Sequence, residues 1–520
     1  MVEDGGTFAA DLVNCIASRT FQTSIRRKFL SMVVLTDISV PLAVSVAVAA
    51  LTCILLDFWR RNRNLPPGPW GLPFVGYYPF LTSQPNMDFA KLSKKYGQVF
   101  SFRSGGALFV ILNGSKNIRG ALVERAEEFI GKPKEMNFLD WVSHGLGVAQ
   151  EEGSTWKEHR RYFLHTAKNF GFGKQEMEDT IRDETTTLVE DLRKANGQPV
   201  HLGLHLDYVV NSVILKVMFN KKLDKNGELF KKLAKAVHAL LANIADHRLM
   251  LVGKPFQLGM HVLPWATEVR QSRVFLRNLV EEIVAEHVRN FDPENEHVDN
   301  YVDSYLYEME KLRKNGQLQG SSYTMERLIA IAMNMTMEGT GGDTVCSLLT
   351  HASHQPLEQK KVQEELDNVL GKDGVLSWQD RKNTPYLEAF IQELYRTAPA
   401  FPTTTLYCNF EETKLNGFRI PKRSILIGNL WSINYDPDIY ENPTEFNVNR
   451  FLNEGGKRIK TDGPYPFSMG KRDCVGQSLA QMEIYFIIGN LLHNFTLVGT
   501  DKFGVVKAVP RDETYTIETT

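Results

Sequence analysis

The stretch PFSMGKRDCVGQSLAQMEIYFIIGNLL, beginning at Pro466, sets a cysteine just ahead of an amphipathic run that reads as a long helix. A thiolate at Cys474 would face the positive end of that helix dipole and its free backbone N–H groups. Gly470 and Gly476 permit tight turns and close approach of the backbone to a flat ligand. Arg472 can fork onto a carboxylate or a propionate. Together these residues make a bed for a thiolate-ligated macrocycle. A lone cysteine in such a place would more often be an inert, buried thiol in a helix-capping loop.

Other groupings are weaker when read alone. Glu393 and Arg396, in QELYRT, share a helix face, but an isolated pair of that kind is usually an exposed and weak ion pair. Residues 333–349, MNMTMEGTGGDTVCSLL, carry a helical pattern interrupted by Gly341-Gly342. Each of those glycines weakens a helix by about 1 kcal/mol relative to Ala, and GGDT alone reads as a loop. Trp156 and Arg160, in WKEHRR, stand four apart, which alone describes an amphipathic surface helix.

The elements that must position these residues are mostly helical. From about residue 85 onward, Leu-, Glu-, Lys- and Ala-rich segments such as Glu178 to Lys194, Gln271 to Arg289 and Leu357 to Leu370 predict long helices. Residues 97–112 predict a hairpin around Gly105-Gly106, and residues 405–429 a second strand group with Asn416-Gly417 as its turn. DPENEHVDN, residues 292–300, reads as a link between two helices. The class is mainly α with a small β lobe, and no internal repeat is present.

Ahead of this body, Asp37 and Asp57 bracket the uncharged run ISVPLAVSVAVAALTCILL. As a helix it matches a hydrocarbon core of about 30 Å. Phe58 and Trp59 follow at interface depth, then Arg60, Arg61 and Arg63. The reading is a transmembrane anchor at 38–59 after an uninterpreted extension, 1–37. Arg26, Arg27 and Lys28 before the span nearly cancel the arginines after it, so charge alone does not orient it. A basic and proline-rich hinge, 60–84, then leads to the main domain, 85–520; its LPPGPWGLP segment reads as stiff and extended.

Composition narrows the function. With 520 residues, of which 43% are hydrophobic and 23% charged, the chain can bury a large core without staples. Lys+Arg 60 against Asp+Glu 61 leaves no global basic footprint for nucleic acid. Cys15, Cys53, Cys346, Cys408 and Cys474 make an odd, sparse set without a CxxC pair. They fit reduced thiols facing the cytosol, not a disulfide framework or a structural zinc site.

Phe467, Gly470, Arg472, Cys474 and Gly476 match FxxGxRxCxG, the signature of the cytochrome P450 family, and the chain from Pro66 onward resembles that family. The anchor followed by PPGPWGLP resembles microsomal members, and WKEHRRYFLHTAKNFGFGK with PYLEAFIQELYR resembles the animal drug- and hormone-metabolising branch. The resemblance implies a mainly helical P450 fold preceded by one transmembrane helix, with haem b held through iron by the Cys474 thiolate. Glu393 and Arg396 then correspond to the ExxR pair, which with Arg450 would form a structural charge cluster. FNVNRF places Val448 and Asn449 where Pro and Glu are common. Trp156 and Arg160 would bind a haem propionate. Gly341, Asp343 and Thr344 match the distal oxygen-binding helix, with Thr340 in place of Ala and Val345 in place of Thr or Ser. There Asp343 would feed protons and Thr344 would hydrogen-bond the activated oxygen.

The implied reaction is insertion of one oxygen atom of O2 into a lipophilic small molecule: a xenobiotic, steroid, hormone or fatty acid. The electrons would come from NADPH through a cytochrome P450 reductase, with cytochrome b5 as a second donor, docking near Lys157, Arg161 and Lys471. Cavity-lining positions map to Phe138–Val148, Met333–Gly342, Ala400–Leu406 and Val505–Val509. The expected location is the endoplasmic reticulum membrane, single-pass, with the catalytic domain cytosolic and no nucleic acid as partner. Two alternatives stay open on sequence: a haem-thiolate isomerase or dehydratase without O2 activation, and a non-catalytic membrane haem protein.

Overall fold

The computed structural model describes residues 62–511 except 135–136, 172–174, 243, 245–246, 295–297 and 340, together with 44–46, 48–49 and 52. Most of the expected anchor therefore lies outside the described residues, as do the extension 1–37 and Thr340. Val44, Val46 and Val48 are helical and largely exposed. Among the described residues no helix is long and apolar enough to cross a membrane. Met1–Leu65 and Pro66–Thr520 are separate compact units, and the second carries the site.

That second unit takes in much of the expected hinge. Ser101 N donates to Pro67 O at 2.8 Å and Tyr77 N to Arg103 O at 2.7 Å, so the proline-rich segment is pinned to the first strand. The main helices are α1 (Pro85–Tyr96), α2 (Gly147–Gln150), α3 (Gly153–Asn169), α4 (Gln175–Ala195), α5 (Gly203–Phe219), α6 (Glu228–Leu241) and α7 (Pro264–Asn290). They continue as α8 (Tyr301–Lys314), α9 (Met325–Glu338), α10 (Gly342–Ala352), α11 (Pro356–Leu370), α12 (Pro385–Thr397) and α13 (Gln477–Asn494).

Helix α5 is apolar nearly all round and buried along almost its whole length. Such a helix belongs at the centre of a core, and α4, α6, α8, α9 and α10 all pack on it. Helix α3 is amphipathic: Trp156, His159, Phe163, Thr166 and Ala167 face inward at helical spacing. Burying a side chain such as Phe163 contributes about 1.5–3 kcal/mol. Pro385 starts α12 at a position where no N–H is needed, and Leu387, Phe390, Ile391 and Leu394 bury one flank of it.

The strands are β1 (Val99–Ser104), β2 (Ala107–Asn113), β3 (Pro199–His201), β4 (Tyr407–Cys408), β5 (Thr413–Leu415), β6 (Phe418–Ile420), β7 (Ile425–Asn429), β8 (Phe495–Gly499) and β9 (Val505–Pro510). One sheet runs β1-β2-β7-β4, with β2 and β7 parallel and Phe109 opposite Ile425. A second runs β3-β9-β8, and β5-β6 form a hairpin. At that hairpin's turn Asn416 and Gly417 have φ of 49° and 82°, the left-handed pair that a tight two-residue turn demands.

Candidate functional site

Cys474 lies two residues before Gly476, the N-cap of α13. Its amide donates to Phe467 O at 3.0 Å, which folds the loop back on itself. The Gly476 N–H points at the sulfur. Cys474 keeps accessible surface, yet protein packs densely around it. That surface therefore opens onto interior space rather than bulk water. Burial pushes the thiol up to about 11, with the Gly476 N–H opposing. A coordinated metal would reverse that and hold the sulfur as thiolate.

The loop before the thiol is set by close approach. Gly470 has φ +83°, and a Cβ there would stand 2.0 Å from Leu122 O. Gly476 differs: a Cβ would meet only Cys474 Sγ at 3.9 Å, so its part is its N–H and not its missing side chain. The Phe467 ring packs edge-on against Tyr395 of α12, centroids 5.9 Å apart.

Arg472 stacks on the Trp156 ring at 3.9 Å. Its Nε donates to Ile130 O at 3.1 Å and its Nη2 to Glu151 O at 2.6 Å. Its Nη1 is buried with no partner. A buried cationic donor left over is costly unless an acceptor meets it, and the carboxylate of a flat ligand is one that fits. Of the expected propionate donors on α3, Trp156 Nε1 donates to Val148 O at 3.1 Å, and Arg160 Nη2 donates to Asp473 O at 2.8 Å and pairs with its carboxylate. The structure also brings up Lys132, which no sequence pattern singles out. Its Nζ is buried, 3.1 Å from Thr405 Oγ1 and 3.0 Å from Leu406 O. Burial, aided by Arg472, lowers it to about 7.

Glu393 and Arg396 form a two-pronged pair at 2.7 Å on both arms, each side chain 0% exposed. Arg396 also donates to Asn434 O at 3.0 Å, Pro443 O at 2.6 Å and Glu445 O at 2.8 Å. Arg450 Nε stands 3.6 Å from Glu393 Oε1. Where Val448 and Asn449 left the supporting bonds open, backbone supplies them: Arg450 donates to the carbonyls of Glu441 and Asn442, and Asn447 N to Glu393 Oε1 at 2.7 Å. Asn434 returns its Nδ2 to Arg396 O at 3.1 Å.

The distal helix is broken, α9 ending at Glu338 and α10 starting at Gly342. Gly342 is where α5 closes in: a Cβ there would meet Asp207 Oδ1 at 2.1 Å. Asp343 is not a free acid. Its Oδ2 lies 2.7 Å from His238 Nδ1, while His238 Nε2 lies 2.7 Å from Asp207 Oδ2. Hydrogen bonds to Asp207 and then Asp343 lift the imidazole to about 10, and burial raises Asp207. Thr344 is half-buried one residue on. His238 and Asp207 sit in ordinary helical patterns, and only tertiary packing reveals them.

Glu338 also went unnoticed in the sequence. Like Cys474 it has accessible surface while protein encloses it, and burial raises its carboxyl to about 7. Of the expected lining, Leu406 is buried and Phe401 partly exposed. Val505–Val509 belong to β9, the central strand of its sheet, with Val506 buried in the core. On the α3 side, Lys157 and Lys471 both pair with Glu127, and Arg161 is exposed.

The architecture and the cysteine loop define a class that comparison makes plain. Residues 66–505 match the Cytochrome P450 family, and the chain belongs to it. It is 31% identical over 468 residues to human Cytochrome P450 2A6, covering 88% of this chain and 92% of that protein. It is 34% identical over 463 residues to Cytochrome P450 2C3 of Oryctolagus cuniculus, 86% of this chain and 91% of that protein. Members of this family are typically haem-thiolate monooxygenases, and the residues around Cys474 fit that cofactor.

Proposed function

We propose that this protein is a membrane-anchored haem-thiolate monooxygenase that places one oxygen atom of O2 on a lipophilic small molecule. Electrons would come from NADPH through a reductase, with cytochrome b5 as an auxiliary donor, at the endoplasmic reticulum. The observation that carries the reading is Cys474: an enclosed thiol with an interior face, at the N-terminus of α13, under the Gly476 N–H. The bound haem supplies oxygen activation and atom transfer.

The chain's own residues do the rest. Cys474 Sγ would hold the haem iron as a thiolate. Arg472 Nη1 and Lys132 Nζ are the cations that would neutralise the macrocycle's carboxylates. Gly470 lets the loop close on Leu122 without a clash. Glu393, Arg396 and Arg450 hold the segment 441–447 against α12. On the distal side, His238 keeps a proton at Nδ1 against Asp343 Oδ2, beside the Thr344 hydroxyl. That arrangement holds a proton reserve at the helix break. Buried apolar side chains such as Phe138 and Leu406 exclude water and suit a lipophilic substrate.

The test is Cys474→Ala. The parent protein, reduced under carbon monoxide, should show the red-shifted Soret band of a thiolate-ligated ferrous haem and turn over O2 and NADPH with reductase present. The variant should lose both. A variant that keeps the red-shifted band overturns the assignment.

A further inference from the structure

Helix α9 presents one face to α2. A Cβ on Gly147 would meet Asn334 Oδ1 at 2.2 Å and Ala330 O at 3.4 Å, so residues 330 and 334 lie on that face. Glu338 follows one turn later, at the last residue before the break. Its carboxyl keeps accessible surface although protein surrounds it. It lies near enough to the thiol loop for its charge to be felt at Cys474. It makes no hydrogen bond or ion pair among the described residues. The nearby cation, Lys132, is directed elsewhere, to Thr405 Oγ1 and Leu406 O. Asn334 Oδ1, on the same face, is a second buried acceptor without a donor.

An unpaired carboxyl in an enclosed, largely apolar space is unfavourable by itself. It becomes favourable when a cation with N–H donors enters beside it. We propose that Glu338 is a specificity-determining residue that selects, among lipophilic molecules, those carrying a protonated amine. The ammonium group sits at the Glu338 carboxylate, with the apolar body on the α9 side of the haem that Cys474 would hold. This rests on the monooxygenase reading, and it names the substrate class.

The full-length, haem-loaded protein is titrated by equilibrium dialysis with N,N-dimethyl-4-phenylbutylamine and with its uncharged carbon isostere, 5-methylhexylbenzene. In Glu338→Gln the amine should bind roughly 10- to 100-fold more weakly, the worth of one charge-assisted hydrogen bond. The isostere should bind as before or more tightly. Equal effects on both ligands, or no effect on the amine, overturn the proposal and leave Glu338 as a counter-ion for Lys132. Should the variant fail to take up haem, the parent decides: the proposal stands if the amine binds at least about tenfold more tightly than the isostere, and falls if it does not. Absence of the red-shifted carbon monoxide band from the parent overturns the haem-thiolate reading instead, and dialysis still reports amine binding.

Discussion

Two charge clusters flank the site, and they are built on opposite principles. Glu393, Arg396 and Arg450 form one: both members of the central pair are wholly buried, and every arm of Arg396 has a partner. Asp207, His238 and Asp343 form the other: Asp207 is buried, but His238 is 38% and Asp343 51% exposed. The first holds opposite charges in direct contact inside the core, where neither can leave without a large penalty. The second is joined through an imidazole, the group proteins use to take up and release protons. One cluster fixes geometry, and the other leaves a titratable connection between α5, α6 and α10.

Breaking the first cluster should have the largest effect. Arg396→Ala strands the Glu393 carboxylate in the core, at a cost of about 3–5 kcal/mol, so urea denaturation should show a strongly destabilised protein. A loss below about 1 kcal/mol would remove the contrast between the clusters. His238→Gln should act less and depend on pH. The folded imidazole titrates at about 10 against an ordinary 6.5. The stabilisation from its proton is therefore full below about 6.5 and lost as pH rises through about 10. The melting-temperature gap between parent and variant should be widest in mild acid and close toward pH 10; a gap that is flat with pH would make His238 a packing residue only. Smallest is Glu127→Gln, which releases Lys157 and Lys471. Reductase binding should tighten roughly a few-fold and become more salt-sensitive, with folding stability unchanged. Binding that is insensitive to this change would place the docking face elsewhere.

These clusters also mark what the sequence could and could not disclose. Glu393 and Arg396 were legible because helical spacing alone puts them together. The hairpin at Gly105-Gly106 and the turn at Asn416-Gly417 were legible because local turn chemistry dictates them. The long helices were legible from their period, as α4, α7 and α11 show. His238 and Lys132 were not, because their partners lie on elements far away in sequence and no period singles them out. The place of the Val505–Val509 segment was not legible, for a related reason. Its alternating pattern says strand, but only the pairing with β3 and β8 says where that strand goes. Arg160 is legible from its spacing to Trp156, but its pairing with Asp473 on the thiol's own loop is not.

The parallel join between β2 and β7 has a consequence for how the protein is made. Phe109 emerges from the ribosome long before Ile425, its opposite number. At bacterial or eukaryotic elongation rates the delay is on the order of tens of seconds. Throughout it, the apolar strand Phe109–Leu112 has an open edge that another nascent chain could cap. The edge therefore stays open until translation has passed Ile425, and shortened chains ending before Ile425 should aggregate through it.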